Sequence, residues 1–272
     1  MIENKGVPVL ITNRLITNKK AIIHNIGFIV LNAYLIFNFD KYKLNKIKIP
    51  IITYPRTPAG INIATNECIR PLPYIATDEC LRLNILPGSK LDGDFQQNTT
   101  RGLPHDEDNS YNSLRYNGAC TAAEFYQVLN NTTVTSISDG FDYLFPEGGK
   151  VIPYTNTPQQ SIITLKVQAS QIRIVKDSFS HGKIKLNLLD NDGRRFTYLP
   201  ITDLGFYNYA IRHFDDNDFP ERINAFIDSQ TDLYLRVGLS GRYSNNGRDG
   251  YWLQINGIYT FPNFDAEIRS YY

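Results

Sequence analysis

The chain has 272 residues, a formal net charge of +1 and 12% aromatic residues, with 18 Tyr and 15 Phe against one Trp and one Met. This length suits one large or two small domains, and the aromatic composition favours β structure. A near-neutral total gives no global steering toward nucleic acid, so any such site must be a local patch. The three cysteines, Cys68, Cys80 and Cys120, are widely spaced, which argues against a disulfide framework and a cysteine-rich zinc site and for reduced thiols in a cytoplasmic protein.

Residues 1–48 differ from the rest and read as an N-terminal extension. Within them Ala21–Phe39 is mostly apolar and flanked by Lys19, Lys20, Lys41 and Lys43. It approaches the roughly 20 residues that a spanning helix needs, so membrane contact follows if residues 21–39 form a helix. His24, Asn25, Asn32 and Asn38 oppose that reading. The alternatives are packed strands with a turn near Asn25–Gly27, or a weakly ordered extension.

From Ile49 the text reads as strand, Pro/Gly turn and strand, with a tight turn at Thr65–Asn66 and a short strand into Pro71. Leu86–Phe95 holds two turn signals, Pro87–Gly88 and Asp92–Gly93. Gln96–Asn117 is polar and reads as a loop. It contains His105, Asp106, Glu107 and Asp108, the densest group of potential metal ligands. Thr121 and Glu124 form a capping-box pattern before a helix over 121–130, whose Phe125, Val128 and Leu129 share one side. A helix so placed would close the floor of a small barrel. Gly148–Gly149 and Pro153–Pro158 mark a boundary between two units.

The second unit opens with alternating runs at Ser161–Val167 and Gln171–Lys176. Asp190–Gly193 joins Lys183–Leu189 to Phe196–Leu199 as a hairpin. Helices are expected over Asp203–Phe214 and Phe219–Ile227, the latter with Pro220 in its first turn. Leu233–Leu239 and Tyr251–Phe261 then read as strands flanking a polar loop. Strand alternation places Tyr251, Leu253, Ile255, Tyr259 and Phe261 toward a core, with a bulge or a close backbone approach at Gly257. The expected architecture is mainly β with a few short helices, arranged as two tandem OB-like Greek-key barrels over 49–155 and 156–264, with a tail at 265–272. An SH3-like pair or one split β-sandwich is the alternative.

GINIATNECIRPLPY at Gly60–Tyr74, Pro104–His105 with Glu107–Asp108, LYLRVGLSGRY and GYWLQINGIYTFP together resemble the ordered motifs of the bacterial dual OB-containing domain family. Arg70–Pro71 occupies that family's RP position, although Cys68 and Ile69 stand where an aromatic is expected. The resemblance covers most of Ile49–Phe264 and implies a nucleic-acid-related or sensing role.

OB barrels bind oligonucleotides through stacked aromatics and cations. On that chemistry Arg70, Arg236, Arg242, Tyr243, Arg248 and Trp252 are the candidate ligand-binding residues, with single-stranded nucleic acid or a nucleotide as partner. His105, Glu107 and Asp108 are the candidate motif loop. A protein-interaction module is the alternative reading, and a metal-dependent hydrolase built on His105–Asp108 is a further one. Phosphate-loop, dinucleotide-fold, zincin and nucleophile-elbow motifs are all missing, so no cofactor and no catalytic set is expected.

Overall fold

The computed structural model describes residues 23–35, 56–83, 85–98, 102–179 and 183–263. The 265–272 tail lies outside them. The first unit contains β1 (Ile23–Leu35), β2 (Arg56–Asn62), β3 (Cys68–Leu72), α1 (Thr77–Arg82), β4 (Ser89–Gln97) and β5 (Asp108–Ala119). These strands close into a barrel in the order β1-β2-β3-β5-β4, with β4 returning to β1. The β3–β5 pair is parallel, with Arg70 opposite Asp108, and the others are antiparallel.

Two sequence expectations change here. Ile23–Leu35 lies inside the stretch set apart as an extension, yet it has strand partners on both sides. An apolar run with β-branched residues does not by itself separate helix from buried strand. No helix among the described residues is long and apolar enough to cross a membrane. Second, the polar stretch over Gln96–Asn117 is mostly strand. β5 is half-buried or exposed along most of its length, so it lacks the alternation that marks a strand. Its pairing with β3 and β4 makes it one. Asp92–Gly93 is likewise no turn but a register shift inside β4.

A connector of α2 (Ala122–Asn131) and β6 (Thr133–Val134) follows. The α2 capping box forms as its sequence indicates: Thr121 Oγ1 accepts from the Glu124 N–H at 3.1 Å, and Glu124 Oε2 accepts from the Thr121 N–H at 2.7 Å. The buried face is Phe125, Val128 and Leu129. It does not close a barrel floor. It packs with Ile61 of the first unit and with Tyr234 and Tyr259 of the second.

The second unit comprises α3 (Ile137–Phe141), β7 (Val151–Pro153), β8 (Ile162–Val167), β9 (Ile172–Lys176), β10 (Ile184–Leu189), β11 (Arg195–Pro200), α4 (Leu204–His213), α5 (Glu221–Asp228), β12 (Asp232–Leu239), β13 (Tyr243–Asn245) and β14 (Arg248–Phe261). One sheet runs β13-β14-β12-β8-β6, with β7 on β14, and another runs β11-β10-β9. β8 continues into β9 through the turn at Ala169–Gln171. A parallel bridge between Ile201 and Ile255 ties the end of β11 to β14. With β8–β9 taken as one line, the connections repeat those of the first unit. The first line pairs with the second and fourth, the third runs parallel to the fifth, and helices sit between the third and fourth. Ile137, Phe141, Phe145 and Ile152 belong to this unit's core, so its packing begins before the boundary read from the Pro-rich stretch.

The β12–β14 pairing decides which side chains reach the other unit. Arg236 pairs with Gly257 and Val237 with Ile255, so Asn256 is an extra residue in β14. Of the two expectations at Gly257, a bulge or a close backbone approach, the register has the bulge, one position earlier in β14. One inserted residue reverses the side-chain phase of everything beyond it. Leu253, Ile255 and Ile258 therefore share the second unit's core, whereas Tyr259 packs on α2. The face expected to unite Tyr259 and Phe261 with Leu253 is split. β12 is buried on both sides: Leu233, Leu235 and Val237 enter its own core, and Tyr234 joins the cluster between units.

Candidate functional site

The candidate residues fall into two groups. Arg70, His105, Glu107 and Asp108 meet in a buried cluster where the units join. Arg70 leaves β3 beside the start of β5, because the parallel register puts it opposite Asp108. Its Nε donates to Asp108 Oδ1, and its Nη1 lies 3.3 Å from Glu107 Oε1. Nη2 lies 3.0 Å from His105 Nδ1. Because a guanidinium has no acceptor, this Nδ1 is the accepting nitrogen. From the second unit, the Ser161 hydroxyl donates to Glu107 Oε1, and Ser161 Oγ is 3.0 Å from the same His105 Nδ1.

This geometry bears on the chemistry weighed from sequence. Glu107 and Asp108 are turned to Arg70, and Asp106 accepts from Gln97 Nε2 at 2.5 Å. Among the described residues no group of three or more His, Cys, Asp and Glu is placed to hold a metal ion. The Ser161–His105 proximity is not a nucleophile–base pair, since Ser161 is 0% exposed and donates to a carboxylate.

Arg236 enters the same junction from β12. Its Nη1 donates to Thr164 Oγ1 at 2.7 Å, and its Nη2 to Cys68 Sγ at 3.1 Å. Burial raises the Cys68 thiol pKa more than the neighbouring Arg236 lowers it, so this sulfur is a poor nucleophile.

Arg242, Tyr243, Arg248 and Trp252 lie on the β13–β14 hairpin. Arg242 donates to both Asp249 carboxylate oxygens, at 3.0 and 2.6 Å, and its guanidinium carbon sits 3.8 Å from the Tyr154 ring centroid. The Arg242 hydrogen bonds hold the Asp249 carboxyl below its usual range. Trp252 Nε1 donates to the Tyr243 carbonyl at 3.0 Å, which fixes the indole edge.

The fold adds partners that sequence reading missed. Lys150 donates to the Thr197 carbonyl at 2.9 Å. Its pKa is lowered by burial and then by the charges of Lys185 and Arg248. Those three cations come from the β7 approach, β10 and β14, and no local motif links them. Tyr198 of β11 is 54% exposed with φ at 54°, and its N–H donates to Asn187 Oδ1 at 2.8 Å. A register shift between Leu186 and Leu188 accompanies this outward turn. A left-handed tyrosine is uncommon, but nothing local in the sequence announces it.

Fold and sites together define a two-unit, mainly β protein with one buried polar junction and one open cationic, aromatic face. No family model, curated protein or solved structure matches the chain.

Proposed function

We propose that the chain is a non-catalytic binding module of two OB-type barrels, and that the second unit's β10–β11 face with the β13–β14 hairpin takes single-stranded nucleic acid. The strand order of each unit, with its parallel third and fifth strands, supports the OB reading. So does the resemblance to the dual OB-containing domain family, whose motif residues Arg70, His105, Glu107 and Asp108 adjoin one another in space. In an OB barrel, ligands lie across strands two and three and the loops joining strands one to two and four to five. By the correspondence above, those are β10, β11 and the hairpin bearing Arg242, Tyr243 and Arg248.

The observation that carries the reading is that Lys150, which reaches the Thr197 carbonyl of β11, feels the charges of Lys185 and Arg248, with Asp177 at 3.6 Å from Lys185 as a partial offset. Cations track the phosphates, and exposed rings such as Tyr198 and Tyr154 offer stacking surfaces.

The test is anisotropy of labelled single-stranded DNA and RNA with the full chain, at about 50 and about 200 mM salt. Binding should weaken at the higher salt. The double variant Lys185→Glu, Arg248→Glu should lose about tenfold or more in affinity while still unfolding cooperatively, its midpoint lowered only by the lost 3.6 Å pairing of Lys185 with Asp177, and Tyr198→Ala should cost about 1–3 kcal/mol of binding. A full chain that binds neither strand at low salt, or a double variant that binds normally, defeats the proposal.

A further inference from the structure

Between the two units lies a cavity of about 610 Å³, within the range of small-molecule sites and separate from the face just described. Ile69 and Phe95 of the first barrel and Ile162 and Ile163 of the second give it apolar walls. Exposed Asn66, Glu67, Gln159 and Gln160 mark where it meets solvent, and Arg236 lines its buried end.

Arg236 is 1% exposed, yet no carboxylate lies within salt-bridge distance of it among the described residues. Its two terminal nitrogens are held by Thr164 and Cys68, and its Nε has no hydrogen-bond partner. Arg70 shows the contrast, with two carboxylates around it. A buried cation with no carboxylate in direct contact is costly, even near a cluster that holds two carboxylates to one arginine. A second side chain points the same way. Asn62, buried and lining the cavity, has its Oδ1 taken by the Ala64 N–H at 2.9 Å, so what its amide can offer a ligand is the Nδ2 donor. Arg236 brings a full positive charge and Asn62 a donor, so a matching ligand brings negative charge and acceptors.

We propose that this inter-unit cavity binds a small molecule bearing a carboxylate or phosphate group, with Arg236 as its counter-charge and Asn62 Nδ2 as a second donor. The other acids around the cavity refine the class. Glu107 is engaged by Arg70 and Ser161, while Glu67 and Asp106 are exposed. Exposed carboxylates at the opening disfavour a polyanion such as a nucleic-acid chain. They suit a ligand with one anionic group and hydroxyl or amine donors at its other end.

The test is the melting temperature of the full chain in inorganic phosphate and, separately, in acetate, each against chloride at equal ionic strength. One or both anions should raise it by several degrees over chloride, because a ligand of the folded state stabilises by mass action. The arm that responds identifies the anionic group. Asn62→Asp keeps the acceptor for Ala64 while replacing the Nδ2 donor with negative charge, and should abolish the shift. Gln159→Trp, at an exposed position on the opening, should reduce it and serves if Asn62→Asp does not fold. No shift beyond chloride with either anion, or a full shift surviving in the folded variants, overturns the site.

Discussion

The buried junction and the open hairpin face use similar side chains under opposite conditions. Arg70 is 4% exposed and meets two carboxylates and an imidazole nitrogen. The Arg242 side chain is 54% exposed and meets one carboxylate and one ring. Water screens the second arrangement, so it contributes little to stability and stays open to exchange with a ligand. At the junction the charges are desolvated, and loss of one partner strands the others. The two groups looked alike as candidates in the sequence. Their surroundings make one of them the polar centre that joins the units and leave the other as a surface.

Breaking the junction should give the largest effect. Arg70→Met leaves Glu107 and Asp108 buried without their cation and should lower stability by about 3–5 kcal/mol in urea unfolding. A loss well under that would mean the carboxylates find other partners. Asp203 sharpens the comparison, because it is a buried carboxylate that faces backbone N–H groups instead of a guanidinium. It caps α4 by accepting from the Phe206 N–H at 3.0 Å. Burial outweighs those hydrogen bonds and pushes its pKa up from 3.8 to about 7. Between those values the folded state keeps a proton that the unfolded chain has lost, so stability falls as pH rises from about 4 to about 7 and then levels. Asp203→Asn should flatten that slope; an unaltered slope would assign it to other groups. The smallest effect belongs to the helix between the units. Thr121→Ala removes one half of the α2 capping box and should cost about 1 kcal/mol, read as a shift in the unfolding midpoint without change in slope. A much larger loss would show that α2 holds the two units together through its first turn as well as through its buried face.

That face shows how the helix is held. Phe125 meets Tyr259 edge-on at 5.1 Å between centroids, and Tyr126 meets Phe261 at 5.1 Å and 89°. Such pairs add about 0.5–1.5 kcal/mol each beyond the area they bury. Tyr259 and Phe261 reach α2 because Asn256 is inserted into β14. Packing also limits Gly238: a Cβ there would stand 1.6 Å from Asn256 Oδ1.

Local chemistry determined much of this protein from its sequence. The mainly β character, the α2 capping box, the Asp190–Gly193 hairpin and the β12–β14 pair were legible because turn residues, caps and strand alternation act over a few positions. Tertiary structure decided the remainder. β5 is polar along most of its length and becomes a strand through partners on either side. The phase of Tyr259 turns on a single inserted residue, and alternation read from the sequence assumes that none is inserted. Arg70 meets Asp108 across 38 positions, and Arg236 meets Cys68 across 168. No periodicity spans such distances. Pairing, register and burial bring those groups together, and among the described residues the same burial leaves one arginine paired with carboxylates and the other with none in salt-bridge range.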